Sequence, residues 1–235
     1  MAKTMFISGA SRGIGKAIAL AAAENGYDLL LTAKNTVLLK QTANEIRLRF
    51  STCKVHTFIA DLAIAGEVDK LIREVNETCA CIDVLVNNAG VFQPGNLMQE
   101  PEGQFEQLMT TNLFSIYHLT RGLLPLLRVS SAAQVFTICS IASLAAYDNG
   151  GSYSVSKFAL LGFTKNLRKE LASEKIKVTA ILPGATLTDS WAGTDLPADR
   201  FIQASDIAAL LICCLNLSAG ALVEELLIQP VAGPI

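Results

Sequence analysis

Seven short runs of apolar and β-branched residues punctuate the chain, at 3–8 (KTMFIS), 27–32 (YDLLLT), 54–59 (KVHTFI), 82–87 (IDVLVN), 134–139 (QVFTIC), 177–182 (KVTAIL) and 225–230 (ELLIQP). Between them lie longer stretches with apolar residues at helical spacing: 15–25, 37–49, 66–79, 103–128, 154–173 and 205–217. Runs that are apolar at nearly every position suit strands buried on both faces, and such strands belong to parallel sheets. The alternation therefore predicts an α/β, doubly wound fold, a seven-stranded parallel sheet with helices on both faces and right-handed crossovers. These elements use up residues 1–235, so one domain is expected, with no linker and no repeated sequence unit. The punctuation agrees. Pro101 stands at the approach to the 103–128 helix, Asn149-Gly150-Gly151 makes a turn before 154–173, and Pro183-Gly184 closes the sixth strand.

Composition narrows the picture. A hydrophobic share of 51% against 17% charged residues supplies a sizeable core and opposes disorder. No run approaches the ~18 apolar residues of a membrane span. The best candidate, IAALLICCL at 207–215, is flanked by Asp206 and Asn216 and reads as a buried helix. The opening MAKTMFISGA enters a strand without the charged head and apolar body of a leader, so a cytoplasmic protein is expected, with no membrane partner. Net charge is −2 and no basic block stands out, which removes the electrostatic footing for nucleic acid. Six cysteines, Cys53, Cys79, Cys81, Cys139, Cys213 and Cys214, lack metal-type spacing. They are expected to be reduced thiols filling apolar space, with no metal site.

The first strand runs into SGASRGIG, residues 8–15, with Gly9, Gly13 and Gly15 separated by Ser11, Arg12 and Ile14. Glycines there let the backbone turn sharply and approach a pyrophosphate, which then meets the positive end of the following helix. The spacing alone is weak, because tight turns also produce it. Its position between the first strand and the first helix makes it a dinucleotide signal. The second strand ends in Thr32-Ala33-Lys34-Asn35, without the acid that would hold free ribose hydroxyls. Lys34 and Arg12 suit a 2′-phosphate instead, so NADP(H) is the preferred cofactor and NAD(H) a possible one. The plainer reading makes both cations solvated surface charges. Asp61-Leu62 follows the third strand and either holds adenine or caps a turn. Asn87-Asn88-Ala89-Gly90 ends the fourth strand, where open α/β sheets form ligand crevices.

A second cluster lies downstream. Tyr153 is followed one helical turn later by Lys157, and Ser140 ends the fifth run. A free phenol, with a pKa near 10, is a poor acid or base at neutral pH. A cation within about 4–6 Å favours the phenolate and lowers that value. Residues at i and i+4 of a helix share a face. Tyr147 serves as a control, since Gly151 stands four residues on. By itself the Tyr-x-x-x-Lys pair is no better than a helix-surface coincidence; with the serine and the glycine loop it points to proton transfer beside a bound dinucleotide.

At these positions the chain resembles the short-chain dehydrogenase/reductase family, through SGASRGIG, Asp61-Leu62, NNAG at 87–90, Asn112, Ser140, YSVSK at 153–157 and PGATLT at 183–188. The resemblance implies a Rossmann-type fold and hydride transfer between a nicotinamide and a carbonyl or alcohol carbon of a small molecule. It implies that Tyr153 is the general acid and base, that Ser140 orients the substrate oxygen, and that Lys157 tunes the phenol and binds the nicotinamide ribose. Asn112 would hold a proton-relay water; Asn88, Ala89, Gly90, Pro183, Gly184, Thr186 and Thr188 would line the cofactor. Members usually form dimers or tetramers through the helices here expected at 103–128 and 154–173. The chain is similar to the 3-oxoacyl-acyl-carrier-protein reductase branch, an alternative activity requiring a basic patch, for which Arg121, Arg128, Lys165, Arg168 and Lys169 are available. It departs at the short Thr188–Asp206 stretch and at the tail VEELLIQPVAGPI, leaving Trp191 either to touch substrate or to anchor its loop. A catalytically silent dinucleotide sensor is the third reading, opposed by the complete Asn112, Ser140, Tyr153 and Lys157 set.

Overall fold

In the computed structural model, which describes residues 2–233, all seven apolar runs form strands of one parallel sheet. They are β1 (Thr4–Ser8), β2 (Asp28–Ala33), β3 (Val55–Ile59), β4 (Val84–Asn87), β5 (Gln134–Ile138), β6 (Lys177–Pro183) and, after two short strands, β9 (Glu225–Ile228). Their order across the sheet is β3-β2-β1-β4-β5-β6-β9. The order reverses between β1 and β4, where Phe6 pairs with Leu30 on one side and Leu85 on the other. The carboxyl ends of these strands diverge there and open a crevice.

Successive strand residues face opposite sides of a sheet, so a run such as Met5-Phe6-Ile7 feeds two cores at once. Met5, Ile7, Leu29 and Leu31 pack under α1 (Gly13–Glu24), α2 (Thr36–Arg49) and α7 (Ala204–Leu215) through Ile18, Leu39 and Leu211. Phe6, Leu85, Val135 and Val178 pack under α3 (Ala65–Thr78), α5 (Ser115–Leu127) and α6 (Gly151–Leu171) through Leu71, Leu123 and Leu167. Phe6 is fully buried, and its truncation to alanine is expected to cost about 3–5 kcal/mol.

The helix expected over 103–128 is interrupted. α4 (Gln104–Met109) passes through a π turn, Thr110–Phe114, into α5. Such a turn inserts one residue into the helical ladder. Asn112, inside it, accepts the Val91 N–H at 2.8 Å and donates to the Val91 carbonyl at 3.0 Å, as a backbone segment would. The short strands β7 (Thr186–Leu187) and β8 (Ile202–Gln203) pair with each other beyond the sheet and carry no sequence signal of their own. Buried Arg168 fastens the tail: it donates to the carbonyls of Val178, at 2.8 Å, and Glu224, and meets the Glu224 carboxylate at 3.3 Å. Pro234 and Ile235 of that tail, and Met1, lie outside the described residues.

Among the described residues no helix is long and apolar enough to cross a membrane, and no three His, Cys, Asp or Glu side chains gather as metal ligands would. All six thiols are free; Cys213 is exposed, unlike the apolar filler expected.

Candidate active site

The glycine loop is bolted to the end of β4. Gly9 has φ +67, and a Cβ there would stand 2.9 Å from Asn88 Nδ2 and 3.0 Å from Ala89 Cα. Only glycine fits both the conformation and the space. Asn88 Nδ2 donates to the Ser8 carbonyl at 2.8 Å, and the backbone N–H groups of Asn88 and Ala89 donate to Ser8 Oγ at 3.0 Å. A Cβ on Gly15 would collide with the Gly9 carbonyl. No side chain caps the first turn of α1, whereas α2 is capped by Asn35. The free amides of α1 therefore face the crevice, a site built for an anion.

The crevice is a cavity of about 790 Å³ running from Asp61 and Leu62, past this loop, to Tyr153. Every residue expected to touch cofactor or substrate lines it except Gly15, behind the loop, and Asn112, behind Gly90. At its far end Thr32 Oγ1 is buried without a hydrogen-bond partner, an orphan suited to a sugar oxygen. Gly13, Ser11 and Ile14 form the loop wall; Pro183, Gly184, Thr186 and Thr188 form the opposite one. These features fit a dinucleotide.

The two cations expected to suit a 2′-phosphate in the absence of an acid after β2 each stand beside a carboxylate. The parallel register sets Ala33 opposite Ile59, which brings Asp61 beside Lys34 at 3.6 Å. Arg12 reaches across the crevice to Asp189 at 2.6 Å. The absence of an acid after β2 is thus compensated from β3. Asp61 also caps its turn, accepting the Ala63 N–H at 3.0 Å, and it lines the cavity.

At the other end α6 presents Tyr153 and Lys157, and Ser140 follows β5. The Ser140 hydroxyl accepts the Ala142 N–H at 3.1 Å and bonds the Tyr153 phenol. Lys157 Nζ donates to the Ile138 carbonyl at 3.0 Å and lies over the Tyr153 ring, 5.8 Å from its centroid. Burial pushes Tyr153 up from the ordinary phenol value, with the Ser140 hydrogen bond opposing, and pushes Lys157 down. The expected lowering of the phenol is therefore overturned in this structure. The ammonium sits over the ring face with both groups desolvated, and desolvation wins. Asn112 Oδ1 and Lys157 Nζ both lie beside Gly90, at 3.2 and 3.7 Å from where its Cβ would be. Asn112 Nδ2 also donates to Ser156 Oγ at 3.0 Å, which in turn donates to the Tyr153 carbonyl at 2.7 Å.

Two residues escaped the sequence reading. Phe92 stands edge-on to Tyr153 with centroids 4.8 Å apart, and Trp191 stacks beyond it at 6.3 Å. Trp191 also packs on Phe201 at 5.1 Å, so it both anchors its loop and lines the cavity. Phe92 lies two residues past NNAG, a nearness that was its only signal. Glu100 had none: it accepts the Ser152 N–H at 2.8 Å from 52 positions away and binds the Ser152 hydroxyl.

Residues 3–197 match the family model described as short chain dehydrogenase. The 3-oxoacyl-acyl-carrier-protein reductase of Staphylococcus aureus is 32% identical over 88% of each chain. The sepiapterin reductase of Chlorobaculum tepidum is 30% identical over 100% of this chain and 99% of its own. Among solved structures, the alcohol dehydrogenase of Thermococcus sibiricus, complexed with 5-hydroxy-NADP, superimposes with a TM-score of 0.91 at 27% identity, covering 98% of this chain and 97% of that one. The L-sorbose reductase of Gluconobacter frateurii, complexed with NADPH and L-sorbose, gives 0.88 at 25% identity, covering 97% and 95%. Glycine loop, sheet order and the Ser140–Tyr153–Lys157 cluster agree with that match, and the chain belongs to the short-chain dehydrogenase family.

Proposed function

We propose that this protein is an NADP(H)-dependent oxidoreductase that interconverts a small carbonyl compound and its secondary alcohol, with Tyr153 as the acid and base. The observation carrying this reading is the half-buried Tyr153 phenol, bonded to Ser140 and close to Lys157, in the same cavity as the uncapped start of α1. When bound, the nicotinamide dinucleotide supplies or takes up the hydride. Gly9, Ser11, Gly13 and Ile14 with the α1 amides hold its pyrophosphate; Asp61 and Leu62 bound the adenine end. Lys34 and Arg12 exchange their carboxylate partners for the 2′-phosphate, in keeping with the NADP-type ligands of the structural relatives. NAD(H) then binds without that contact. Asn88, Ala89, Gly90, Pro183, Gly184, Thr186 and Thr188 shape the nicotinamide end.

Ser140 holds the substrate oxygen and Tyr153 protonates it as it becomes an alkoxide. Lys157 binds the nicotinamide ribose, and Asn112, on the same side of Gly90, serves the proton's replacement from solvent. Tyr153→Phe is expected to reduce turnover about 10³-fold or more while leaving NADPH binding intact; an active variant would remove Tyr153 as the acid.

The second reading, reduction of an acyl group on a carrier protein, is favoured by the 32% identical Staphylococcus relative. The basic residues it needs are largely engaged. Arg128 pairs with Glu174, Lys165 with Glu225, Arg168 is buried on Glu224, and Arg121 binds the Tyr117 hydroxyl. A free small molecule is the better-supported substrate. NADPH oxidation, with NADH in parallel, against ketones, quinones, sugars and 3-oxoacyl thioesters separates the two. Phe105, Phe114, Tyr117, Val155 and Phe158 leave an apolar face exposed on α4, the π turn, α5 and α6. That supports a homodimer or homotetramer through these helices, measurable by sedimentation.

A further inference from the structure

Two phenols open onto the cavity. Tyr153 is bonded to Ser140; Tyr147 has, among the described residues, no hydrogen-bond partner for its hydroxyl, and its side chain stays 43% exposed. Its ring is nonetheless seated. A Cβ on Gly150 would stand 3.0 Å from Tyr147 Cε1, so the missing side chain makes the ring's bed, and the Gly150 N–H donates to the Tyr147 carbonyl at 3.0 Å. Positive φ at Asn149 (+60) and Gly151 (+43) then folds the turn back onto the start of α6, just ahead of Tyr153. Burial, with the neighbouring Tyr153 phenol, pushes Tyr147 up to about 12. It therefore stays a neutral donor at any working pH and takes no part in acid–base exchange.

The rest of the lining is informative by its charge. Phe92, Leu144, Ala145, Ala146 and Trp191 give apolar walls, two of them aromatic. The charged lining residues are Arg12, Lys34, Asp61, Lys157 and Asp189. Four of these are spent on the pairs Arg12–Asp189 and Lys34–Asp61, and Lys157 is buried on the Ile138 carbonyl. With cofactor bound, Arg12 and Lys34 turn to its 2′-phosphate and Lys157 to its ribose, so no cation is left over to receive an anionic group of the substrate, whereas one phenol is.

We propose that Tyr147 is the specificity-determining residue of this site: it donates a hydrogen bond to a second oxygen of the substrate, an uncharged carbonyl compound with a flat apolar body whose two oxygens lie a few bonds apart. Aryl 1,2-diketones and aryl hydroxyketones are of this class. The proposal rests on the reductase reading above and adds the substrate class to it.

The test compares 1-phenylpropane-1,2-dione with 1-phenylpropan-1-one, which lacks the second oxygen, and with phenylglyoxylate, which adds a charge. Binding is read as quenching of Trp191, the chain's one tryptophan, with NADP⁺ present, independently of turnover. One hydrogen bond should make the dione bind about fivefold to tenfold more tightly than the monoketone. Tyr147→Phe should bring the two within twofold, and phenylglyoxylate should bind more weakly than the dione. Unchanged NADPH affinity and melting temperature show that the variant is folded; Tyr147→Leu, which also removes the ring, should lose the contrast too. A dione-to-monoketone ratio that survives Tyr147→Phe, or phenylglyoxylate binding as tightly as the dione, would overturn the proposal. Binding contrast abolished by Tyr147→Phe, but with no compound reduced, would support the role of Tyr147 while counting against the reductase chemistry.

Discussion

Lys157 and Tyr153 share one face of α6, yet the lysine gives its hydrogen bond to the Ile138 carbonyl at 3.0 Å and lies 5.8 Å from the centre of the phenol ring. Burial, not the cation, therefore sets the direction of the Tyr153 shift, which is upward. A proton donor with a raised pKa keeps its proton through neutrality. Carbonyl reduction is expected to be level between about pH 6 and pH 9 and to fall only above that, while alcohol oxidation, which needs the phenolate, rises across the same interval. Initial rates in both directions check this. A reduction rate already falling between about pH 6 and pH 8 would show that the ammonium dominates once cofactor is bound.

The same lysine is a burden on the fold. Its pKa is lowered by burial, so the folded protein binds its proton less tightly than the unfolded chain does. The contribution of this group to stability is least at neutral pH and improves as pH rises towards its ordinary value. Lys157→Met is expected to raise the melting temperature by about 2–4 °C, as ~1 kcal/mol does in a domain of this size, while abolishing turnover. Calorimetry near neutral pH gives the answer, and a lower melting temperature would show that the Ile138 contact outweighs desolvation.

The cofactor cations can be separated by titration. Lys34 and Arg12 each hold a carboxylate, at 3.6 and 2.6 Å, and both are largely exposed. Replacing both with alanine is expected to weaken NADPH at least tenfold more than NADH, as the loss of two charge-assisted contacts requires. Each single substitution should give a smaller bias. Fluorescence titration of the reduced cofactors measures it, and equal losses would show that neither residue reads the phosphate.

Glu100 is tied to the first turn of α6 through the N–H and hydroxyl of Ser152, one residue before Tyr153. A Cβ on Gly151 would collide with the Glu100 carboxylate and the Gly95 carbonyl. A carboxylate at a helix start, hydrogen-bonded to it, is worth about 1–3 kcal/mol. Glu100→Ala is expected to cost that much in denaturant unfolding and to lower kcat with NADPH affinity retained. Gly151→Ala should cost more, since it adds strain at φ +43.

The strands, the glycine loop and the Tyr153–Lys157 spacing were legible because each is written within a dozen residues, as an apolar run, a turn or a helical offset. What could not be read joins distant positions. Arg12 meets Asp189 over 177 residues, Glu100 meets Ser152 over 52, and Asn112 meets Val91 over 21. The Tyr153 shift was misjudged for the same reason. The neighbouring charge is visible in sequence, but the desolvation that outweighs it depends on packing from β5, α6 and the loop bearing Phe92.

The π turn at Thr110–Phe114 has a genetic consequence. Deleting a single residue there would remove the extra residue, and the ladder would close as an ordinary α-helix with the turns beyond it kept in phase. Leu119 and Leu123 would stay in the core they fill, while Asn112 would lose its grip on Val91. The irregularity is a spare residue that the rod can shed without turning its far end. Single-residue deletions at 110–114 should therefore spare the fold and strike the Asn112 bridge.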